Sequence, residues 1–377
     1  MPSKNGVNAA IGDAANEAAP TAACCPKTNS KKHMVLVLSI LLALLVVGII
    51  IIVILYVFAT KVGYAYALMI DAGSTSSKIS VLKWLDCPFR KNAWVEEVNY
   101  TVKEPGISAY AKIPPQAGEA LLPVMRSMLQ KNIPEEKRKS TSLYLAATAG
   151  MRLLAINEPL KSDAILQDLR QRLPDIGATV HNVFSDIRII TGSTEGRYGW
   201  VAANYLDKKL GDPEGMPPKP ANEMVGMLDL GGASTQIAFV PAKSGPAQHT
   251  MPISMFGQSY DLYSYSFLCY GKEANGRRYV AQLISKSTNL QSGTIKSPCH
   301  LRGFQKTVDT AEIFTAPCVT SKFAEQLLDL EIHPPASMPL KVKIIGEGDA
   351  EKCAAEVRTL FPSKGCTHES CSFNNIY

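Results

Sequence analysis

Two short segments combine an acidic residue, glycines and hydroxyl side chains in an order that suits phosphate binding. Residues 229–236 read Asp-Leu-Gly-Gly-Ala-Ser-Thr-Gln and lie between the apolar runs 224–228 and 237–240. This pattern predicts a strand, a tight turn and a second strand. Because the two glycines lack side chains, backbone N–H groups in the turn can approach a large anion. A carboxylate beside phosphate usually indicates a bridging divalent cation, which makes Asp229 a candidate ligand of Ca²⁺ or Mg²⁺.

The second segment lies upstream and repeats the first. Residues 69–79 read Met-Ile-Asp-Ala-Gly-Ser-Thr-Ser-Ser-Lys-Ile. Identical residues occupy equivalent positions of the two segments: Met69 and Met227, Asp71 and Asp229, Gly73 and Gly231, Ser76 and Ser234, Ile79 and Ile237. Two such hairpins predict two related lobes that offer a phosphate loop and an Asp each to a shared cleft. Duplicated lobes of this kind are typical of the α/β, ribonuclease H-like architecture of actin, sugar kinases and chaperone ATPases.

The candidate phosphate and nucleotide ligands are the residues of both turns and one threonine that follows another predicted strand. They are Gly73, Ser74, Thr75, Ser76, Thr148, Gly231, Gly232, Ala233, Ser234, Thr235 and Gln236. Asp71 and Asp229 are assigned to the divalent cation, with contacts made directly or through water. Gln236 is a candidate for holding a metal-bound or attacking water. An alternative stays open for each Asp and hydroxyl, since such side chains also stabilise their own turns.

Glu195 is the candidate general base that takes a proton from an attacking water. Such a group contributes about 10²–10⁴-fold to a rate. The alternative is an acidic residue that stabilises the start of its helix through the helix dipole. The six histidines are scattered, and no Ser–His–Asp or Cys–His set is apparent. The sequence therefore predicts direct in-line attack of water on a terminal phosphate, without a covalent intermediate.

Apolar periodicity predicts the elements that position these residues. Strand-like runs cover residues 142–147 and 181–190, and helical runs cover 115–129, 160–173 and 198–210. The predicted organisation is a disordered cytoplasmic tail (1–33), a transmembrane helix (34–59), lobe one (62–180) and lobe two (181–377).

The membrane prediction depends on a run of 26 uncharged residues from Met34 to Ala59. About 20 apolar residues cross a bilayer, and the lysines before the run place the amino terminus in the cytoplasm. The net charge is +6, of which residues 1–33 carry +2 and Lys61 one more, leaving +3 for the rest. This small excess predicts no nucleic-acid partner. The predicted location is the cell membrane, crossed once, with the catalytic part outside.

The cysteines agree with an extracellular location. Six of them cluster in the last third of the chain: Cys269, Cys299, Cys318, Cys353, Cys366 and Cys371. An even cluster on the oxidising side of a membrane predicts disulfides. Asn99 begins the sequon Asn-Tyr-Thr, which predicts glycosylation at an exposed position.

Four segments together resemble a known family, the ectonucleoside triphosphate diphosphohydrolases or ecto-apyrases. Residues 71–75, 147–154, 194–200 and 229–236 are similar to the first four of its five apyrase motifs. Residues 266–271, the late cysteines and the amino-terminal apolar run resemble its cell-surface branch. The likeness covers residues 34–377.

The resemblance implies a Ca²⁺- or Mg²⁺-dependent enzyme that converts extracellular nucleoside tri- and diphosphates to monophosphate. It implies Glu195 as the general base and the turn at 232–236 as the nucleotide phosphate site. It also implies three disulfide pairs: Cys269–Cys318, Cys299–Cys353 and Cys366–Cys371.

The sequence departs from the family pattern in several places. Ser76 stands where cell-surface members usually have His, Ser193-Thr194 replaces the usual Gln-Glu, and Cys87 lacks its expected disulfide partner. The chain ends at Tyr377 before a fifth motif, so an incomplete second lobe is expected. An active apyrase is the main hypothesis. The alternative is a truncated, non-catalytic form that is unstable or modulates the full-length enzyme. A small-molecule kinase of the same architecture fits an extracellular site poorly, and a homo-oligomer stays open.

Overall fold

The computed structural model describes residues 30–60, 63–86, 94–211, 216–241, 249–288, 290–328 and 332–361. Its strands are β1 (Gly63–Ala72), β2 (Ser77–Asp86), β3 (Glu96–Lys103), β4 (Ser142–Ala147), β5 (Ile187–Ile189), β6 (Met227–Leu230), β7 (Ser234–Phe239), β8 (Thr250–Met255), β9 (Gln258–Leu268), β10 (Thr294–Ser297), β11 (Gln305–Asp309) and β12 (Lys341–Gly346). Its helices are α1 (Ser30–Thr60), α2 (Pro115–Asn132), α3 (Glu135–Arg138), α4 (Ala149–Asn157), α5 (Pro159–Arg172), α6 (Val183–Asp186), α7 (Gly192–Leu206), α8 (Lys272–Lys286), α9 (Thr310–Phe314), α10 (Pro317–Thr320), α11 (Lys322–Leu328) and α12 (Ala350–Thr359).

The chain divides into two compact units, one up to Lys61 and one from Val62 onward. The first contains α1. Within the described residues, one segment is long and apolar enough to cross a membrane, namely Lys31–Val57 with mean hydropathy 3.5. It overlaps the predicted span 34–59 and is a candidate membrane helix by length and composition. The predicted orientation stays a prediction.

The second unit is mixed α/β, as predicted, and its first sheet has the order β3-β2-β1-β4-β5. β1 and β2 form an antiparallel hairpin, whereas β4 pairs with β1 and β5 pairs with β4 in parallel. Helices α2 and α5 cover one face of this sheet. Their buried side chains, including Leu121, Met125 and Ile165, join Leu68 and Ile70 of β1 in one core. This packing holds the end of β1, and therefore Asp71, in place.

The prediction of a strand over 181–190 is wrong for most of its length. The side chain of Asn182 accepts hydrogen bonds from the backbone of Phe184 and Ser185 and caps α6. Asp186 accepts two more from the backbone of His181 and Asn182. These local side-chain bonds favour a helical turn over a strand. Only β5 forms a strand in this segment. It pairs with β4 of the first sheet, although it follows the predicted lobe boundary at residue 180.

The helix predicted over 198–210 begins six residues earlier, at Gly192. The hydroxyl of Thr191 accepts a hydrogen bond from the backbone N–H of Thr194 at 3.1 Å and so caps the helix. The segment 192–196 is therefore the first turn of α7, and Glu195 lies in that turn.

A second sheet has the order β6-β7-β9-β8, and α7 packs on one of its faces. Trp200 of α7 is fully buried there against Tyr260 and Leu262 of β9. A third sheet, in the order β10-β12-β11, packs with α8 around Ala281 and Ile284.

Two disulfides join these layers, Cys269–Cys318 and Cys299–Cys353. Both are pairs that the resemblance implied. The third pair, Cys366–Cys371, lies outside the described residues. Asn99 is exposed on the edge strand β3, and its side-chain amide donates to Asn132 Oδ1 at 3.0 Å. Its glycosylation stays a prediction.

The Cys299–Cys353 disulfide gives a stability prediction. Because it ties the loop after β10 to α12 across 54 residues of chain, replacing both cysteines with Ala frees the unfolded chain. We expect the free energy of unfolding to fall by about 2–4 kcal/mol. Urea unfolding of the full chain in detergent measures the loss, with Cys24→Ala plus Cys25→Ala as the control. An unchanged midpoint would contradict the prediction.

Candidate active site

The loop of the first hairpin, residues 73–76, is held by two glycines from elsewhere in the chain. The N–H of Gly106 donates to the carbonyl of Thr75 at 2.8 Å. A Cβ on Gly106 would lie 2.5 Å from the carbonyl oxygen of Gly73, and one on Gly150 would lie 2.8 Å from Cα of Ser74. Such distances exclude any side chain, so the backbone itself packs against the loop.

The loop of the second hairpin, residues 231–233, is held by the start of α8. Backbone N–H groups of Lys272 and Glu273 donate to the carbonyls of Gly231 and Gly232 at 2.9 and 2.8 Å. The start of α8 therefore satisfies these two carbonyl groups by hydrogen bonds. Their negative oxygen atoms point towards the helix and not towards an anion in front of the loop. A Cβ on Gly271 would lie 2.5 Å from the N of Ala233, which again requires glycine.

The two loops meet. A Cβ on Gly232 would lie 2.4 Å from Oγ of Ser74 and 3.0 Å from Cγ2 of Thr75. The juxtaposition of the two repeated segments, predicted from their sequences, is thus present in the structure. The charges of Asp71 and Asp229 also act on Glu195. We call the region in front of the two loops, near these three carboxylates, the cleft.

Asp71 and Asp229 occupy equivalent positions at the ends of β1 and β6. Asp71 lies opposite Lys78 in the register of its hairpin, and Asp229 lies opposite Gln236. Burial raises the pKa of Asp71, Lys78 lowers it and the charge of Asp229 raises it. Half of the Asp71 side chain nevertheless stays accessible, at 51%. Asp71 is thus partly surrounded by protein and still accessible to solvent, as expected for a carboxylate at the bottom of an open cleft.

Glu195 is paired with Arg152. Nη1 of Arg152 lies 2.8 Å from Oε2 of Glu195, and the two side chains are only 12% and 17% exposed. Burial raises the pKa of Glu195, and Arg152 opposes that shift by charge and hydrogen bond. The charges of Asp229 and Asp71 raise it further. The guanidinium therefore favours the ionised carboxylate, which is the form that a general base requires.

Gln236 connects the base to the second loop. Its Nε2 lies 3.1 Å from Glu195 Oε2, 2.6 Å from Ser234 Oγ and 2.9 Å from Ser266 Oγ, and its two hydrogens are shared among these oxygens. Its Oε1 is buried, and among the described residues no donor reaches it. Gln236 is fully buried, so its contacts position Glu195 and Ser234.

The first turn of α7 lies directly on β9. A Cβ on Gly192 would lie 2.2 Å from Cβ of Ser266, and one on Gly196 would lie 2.5 Å from Oγ of Ser264. The hydroxyl of Ser264 also donates to the carbonyl of Ser193 at 2.8 Å. Two glycines one helical turn apart thus let the helix approach two serines, and this contact sets the position of Glu195.

Some predicted phosphate ligands have other contacts. The hydroxyl of Thr148 is buried and directed at the carbonyl of Ala72 at 3.4 Å, which favours a role in joining β1 to α4. Thr235 donates to the carbonyl of Tyr270 at 2.8 Å. Ser234 is buried and accepts from Nη2 of Arg152 at 3.0 Å. Ser76 and Gly73 are partly exposed beside the cleft.

Sequence reasoning missed several positioning residues. Arg152 is not among the predicted site residues, and its side chain contacts Glu195, Ser234 and the carbonyl of Ile190. The roles of Gly106 and Gly271 depend on long-range contacts. The four-residue spacing of Gly192 and Gly196, facing alternate serines of β9, is a pattern that could have indicated the contact.

The carboxylates suit a hard divalent ion only with added water ligands. Among the described residues, no group of three His, Cys, Asp or Glu side chains forms a metal site. Mg²⁺ and Ca²⁺ bind oxygen ligands, and Mg²⁺ usually keeps several waters. Two accessible Asp side chains whose charges repel each other fit an ion held largely through water.

Residues 58–377 match the model of the GDA1/CD39 (nucleoside phosphatase) family. Ectonucleoside triphosphate diphosphohydrolase 1 of Mus musculus is 32% identical over 321 residues, covering 83% of this chain and 59% of that protein. Ectonucleoside triphosphate diphosphohydrolase 2 of Gallus gallus is 31% identical over 326 residues, covering 83% and 61%. The chain thus spans about 60% of the length of these relatives.

Among solved structures, a crystal structure of nucleoside triphosphate hydrolases from Neospora caninum matches with a TM-score of 0.55 and 18% identity. The match covers 78% of this chain and 66% of the Neospora caninum chain. A likeness at this level of identity concerns the fold.

The α7–β9 contact predicts the effect of added side chains. Gly192→Ala places a methyl group against Ser266, and we expect the free energy of unfolding to fall by about 1–3 kcal/mol. Gly276→Ala is the control, because this glycine lies inside α8 with nothing within 4 Å of the added Cβ. The control should raise stability by about 0.4–1 kcal/mol. Urea unfolding measures both, and a Gly192→Ala chain as stable as wild type would refute the contact.

Proposed function

This chain belongs to the GDA1/CD39 (nucleoside phosphatase) family, and from that premise we propose that it hydrolyses nucleoside tri- and diphosphates. The products are nucleoside monophosphate and phosphate. The proposal rests on the position of Glu195. The charges of Asp71 and Asp229 both act on its carboxylate, and Gln236 beside the second loop donates a hydrogen bond to it. In this proposal the candidate base, the two candidate metal ligands and the two candidate phosphate loops border one cleft.

In this proposal water attacks the terminal phosphate directly. Gln236 is fully buried and donates to Glu195 Oε2, so it orients the carboxylate for that water. Glu195 Oε2 takes the proton as the new P–O bond forms and the bond to the leaving phosphate oxygen breaks. Arg152 keeps the carboxylate ionised before that step. Attack in line with the leaving group needs positioning more than covalent chemistry.

The phosphate groups bind to the two loops. Backbone N–H groups near Gly73, Ser74, Gly232 and Ala233, together with nearby hydroxyls, are the proposed donors. Thr148 and Ser234 act mainly by positioning, because their hydroxyls contact the protein. Fixed donors of this kind stabilise developing negative charge without reorganising during the reaction.

Asp71 and Asp229 are proposed to hold Ca²⁺ or Mg²⁺ through water. The bound ion would neutralise charge on the transferring phosphate. Phosphate in the cleft would otherwise face three carboxylates, which is unfavourable. Cation dependence therefore follows from the same arrangement that makes Glu195 a base.

The proposed location is the outer face of the cell membrane. The candidate span in α1, the lysines before it and the two disulfides agree with an oxidising compartment. The proposed partners are nucleotides and lipid, with no nucleic acid. We retain the two predicted lobes, 62–180 and 181–377, as proposals. Strand β5 follows residue 180 in the chain but pairs with β4 in the sheet of the first lobe.

A second candidate function is a non-catalytic one, in which the chain binds another protein. Leu228 and Leu230 of β6 are 69% and 66% exposed, whereas their counterparts Ile70 and Ala72 in β1 are 2% and 0% exposed. The helices that cover the first hairpin have no counterpart over β6 among the described residues. An apolar face of this kind favours association. Phosphate release by the purified chain would exclude this candidate.

Replacing the base tests the proposed mechanism. Glu195→Gln removes the proton acceptor but keeps the shape, and we expect the rate of phosphate release to fall by about 10²–10⁴-fold. Affinity for a non-hydrolysable ATP analogue should change little. The control is Glu223→Gln, which alters a half-exposed residue paired with Lys219 at 3.7 Å. Equal rates for the Glu195→Gln and control chains would exclude Glu195 as the base.

Removing the cation tests the metal assignment. We expect a chelator to abolish phosphate release and added Ca²⁺ or Mg²⁺ to restore it. Asp229→Asn should weaken ion binding roughly 10–100-fold, as loss of a water-mediated ligand does. Asp207→Asn is the control, since Asp207 pairs with Lys209 at 3.5 Å. Calorimetric titration with Ca²⁺ measures the change, and unaltered affinity in Asp229→Asn would remove Asp229 from the site.

A further inference from the structure

We propose that Lys78 is a phosphate-binding residue, whose ammonium group pairs with Asp71 until a divalent ion takes that carboxylate. The ligand is an anionic oxygen of a nucleoside di- or triphosphate. The proposal rests on the proposed function, because it assigns a further residue to the same cleft.

The register of the first hairpin places Lys78 at the cleft. Lys78 lies directly opposite Asp71 in the β1–β2 pair, and Nζ lies 3.9 Å from Asp71 Oδ2. Side chains that lie opposite each other across antiparallel strands emerge on the same face of the sheet. Lys78 therefore extends on the same side as the carboxylate that faces Asp229.

The internal repeat gives a second, independent argument. The residue opposite Asp229 in the second hairpin is Gln236, so Lys78 and Gln236 occupy equivalent positions of the two hairpins. Gln236 contacts the base directly, at 3.1 Å from Glu195 Oε2. Each hairpin therefore presents one donor side chain beside its Asp, an amide from the second and an ammonium from the first.

The two cations near the cleft differ in freedom of movement. Arg152 is bound to Glu195, Ser234 and the carbonyl of Ile190. Lys78 is 56% exposed, and its ion pair with Asp71 is the one interaction that the described part of the chain records for it. Exposed pairs of this kind are weak. A divalent ion, with twice the charge, displaces the ammonium from Asp71 readily.

A released lysine suits phosphate. Its ammonium is a compact charge on a flexible four-carbon stem with three donors. Hydrogen bonds from such groups to phosphate are stronger than neutral ones. The movement keeps charge balanced, because the ion neutralises Asp71 while Lys78 neutralises part of the nucleotide.

Binding measurements on the full chain in detergent test this role. The variants are Lys78→Gln, Lys78→Arg and, as the matched control on the same strand, Lys83→Gln. Lys83 pairs with Glu96 at 3.4 Å and lies over the ring of Tyr64, away from the cleft. Calorimetry gives the Ca²⁺ affinity without nucleotide and the affinity for a non-hydrolysable ATP analogue with Ca²⁺.

We expect Lys78→Gln to bind Ca²⁺ about two- to fivefold more tightly, because a competitor for Asp71 is gone. The same variant should bind the ATP analogue about three- to tenfold more weakly, and Lys78→Arg should restore most of that affinity. Lys83→Gln should match wild type in both titrations.

The proposal would be overturned if Lys78→Gln matched Lys83→Gln in its affinity for Ca²⁺ or in its affinity for the ATP analogue. Weaker Ca²⁺ binding in Lys78→Gln would overturn it too, since it would make Lys78 a support for the ion and not its competitor. Phosphate release is measured separately. A chain without hydrolysis whose titrations still respond to Lys78→Gln refutes the proposed activity and leaves the assignment of Lys78 standing.

Discussion

The pairing of Glu195 with Arg152 is the interaction on which the site depends. Burial raises the pKa of this carboxylate, and two further carboxylates nearby raise it more. Without a fixed cation Glu195 would be protonated more readily, which is unfavourable for the proposed general base. Arg152 supplies that cation from α4, and its second bond to Ser234 links the base to the second loop. One guanidinium therefore connects α4 with Glu195 and with the second hairpin.

Close backbone contacts position everything else. Glycines at positions 106, 150, 232 and 271 allow loops and helix ends to approach where any Cβ would collide. Gly192 and Gly196 do the same between α7 and β9. The conformational freedom of glycine is costly on folding, and here each residue permits a contact that a larger residue would prevent. The phosphate loops are thus held by packing on both sides.

The repeat is symmetric in backbone and asymmetric in side chains. Both hairpins end in an Asp at the cleft, yet the residue opposite that Asp is a lysine in one and a glutamine in the other. The covered face of β1 corresponds to an exposed apolar face of β6. A duplicated scaffold has therefore acquired different functions on its two sides. The second hairpin contacts the base, and the first carries the mobile cation.

Local sequence patterns determined the two hairpins, the strand over 142–147, the helices around it and the identity of Glu195, Asp71 and Asp229 as candidates. Such features depend on apolar periodicity and turn residues within a few positions, so a single sequence reveals them. Only the tertiary structure decided what Arg152 pairs with, why Gly271 is required and where Thr148 points. It also placed the short helix α6 inside the predicted strand over 181–190 and left only β5 extended. These outcomes depend on contacts between residues far apart in the chain, or on side-chain caps that compete with strand formation, and periodicity contains neither.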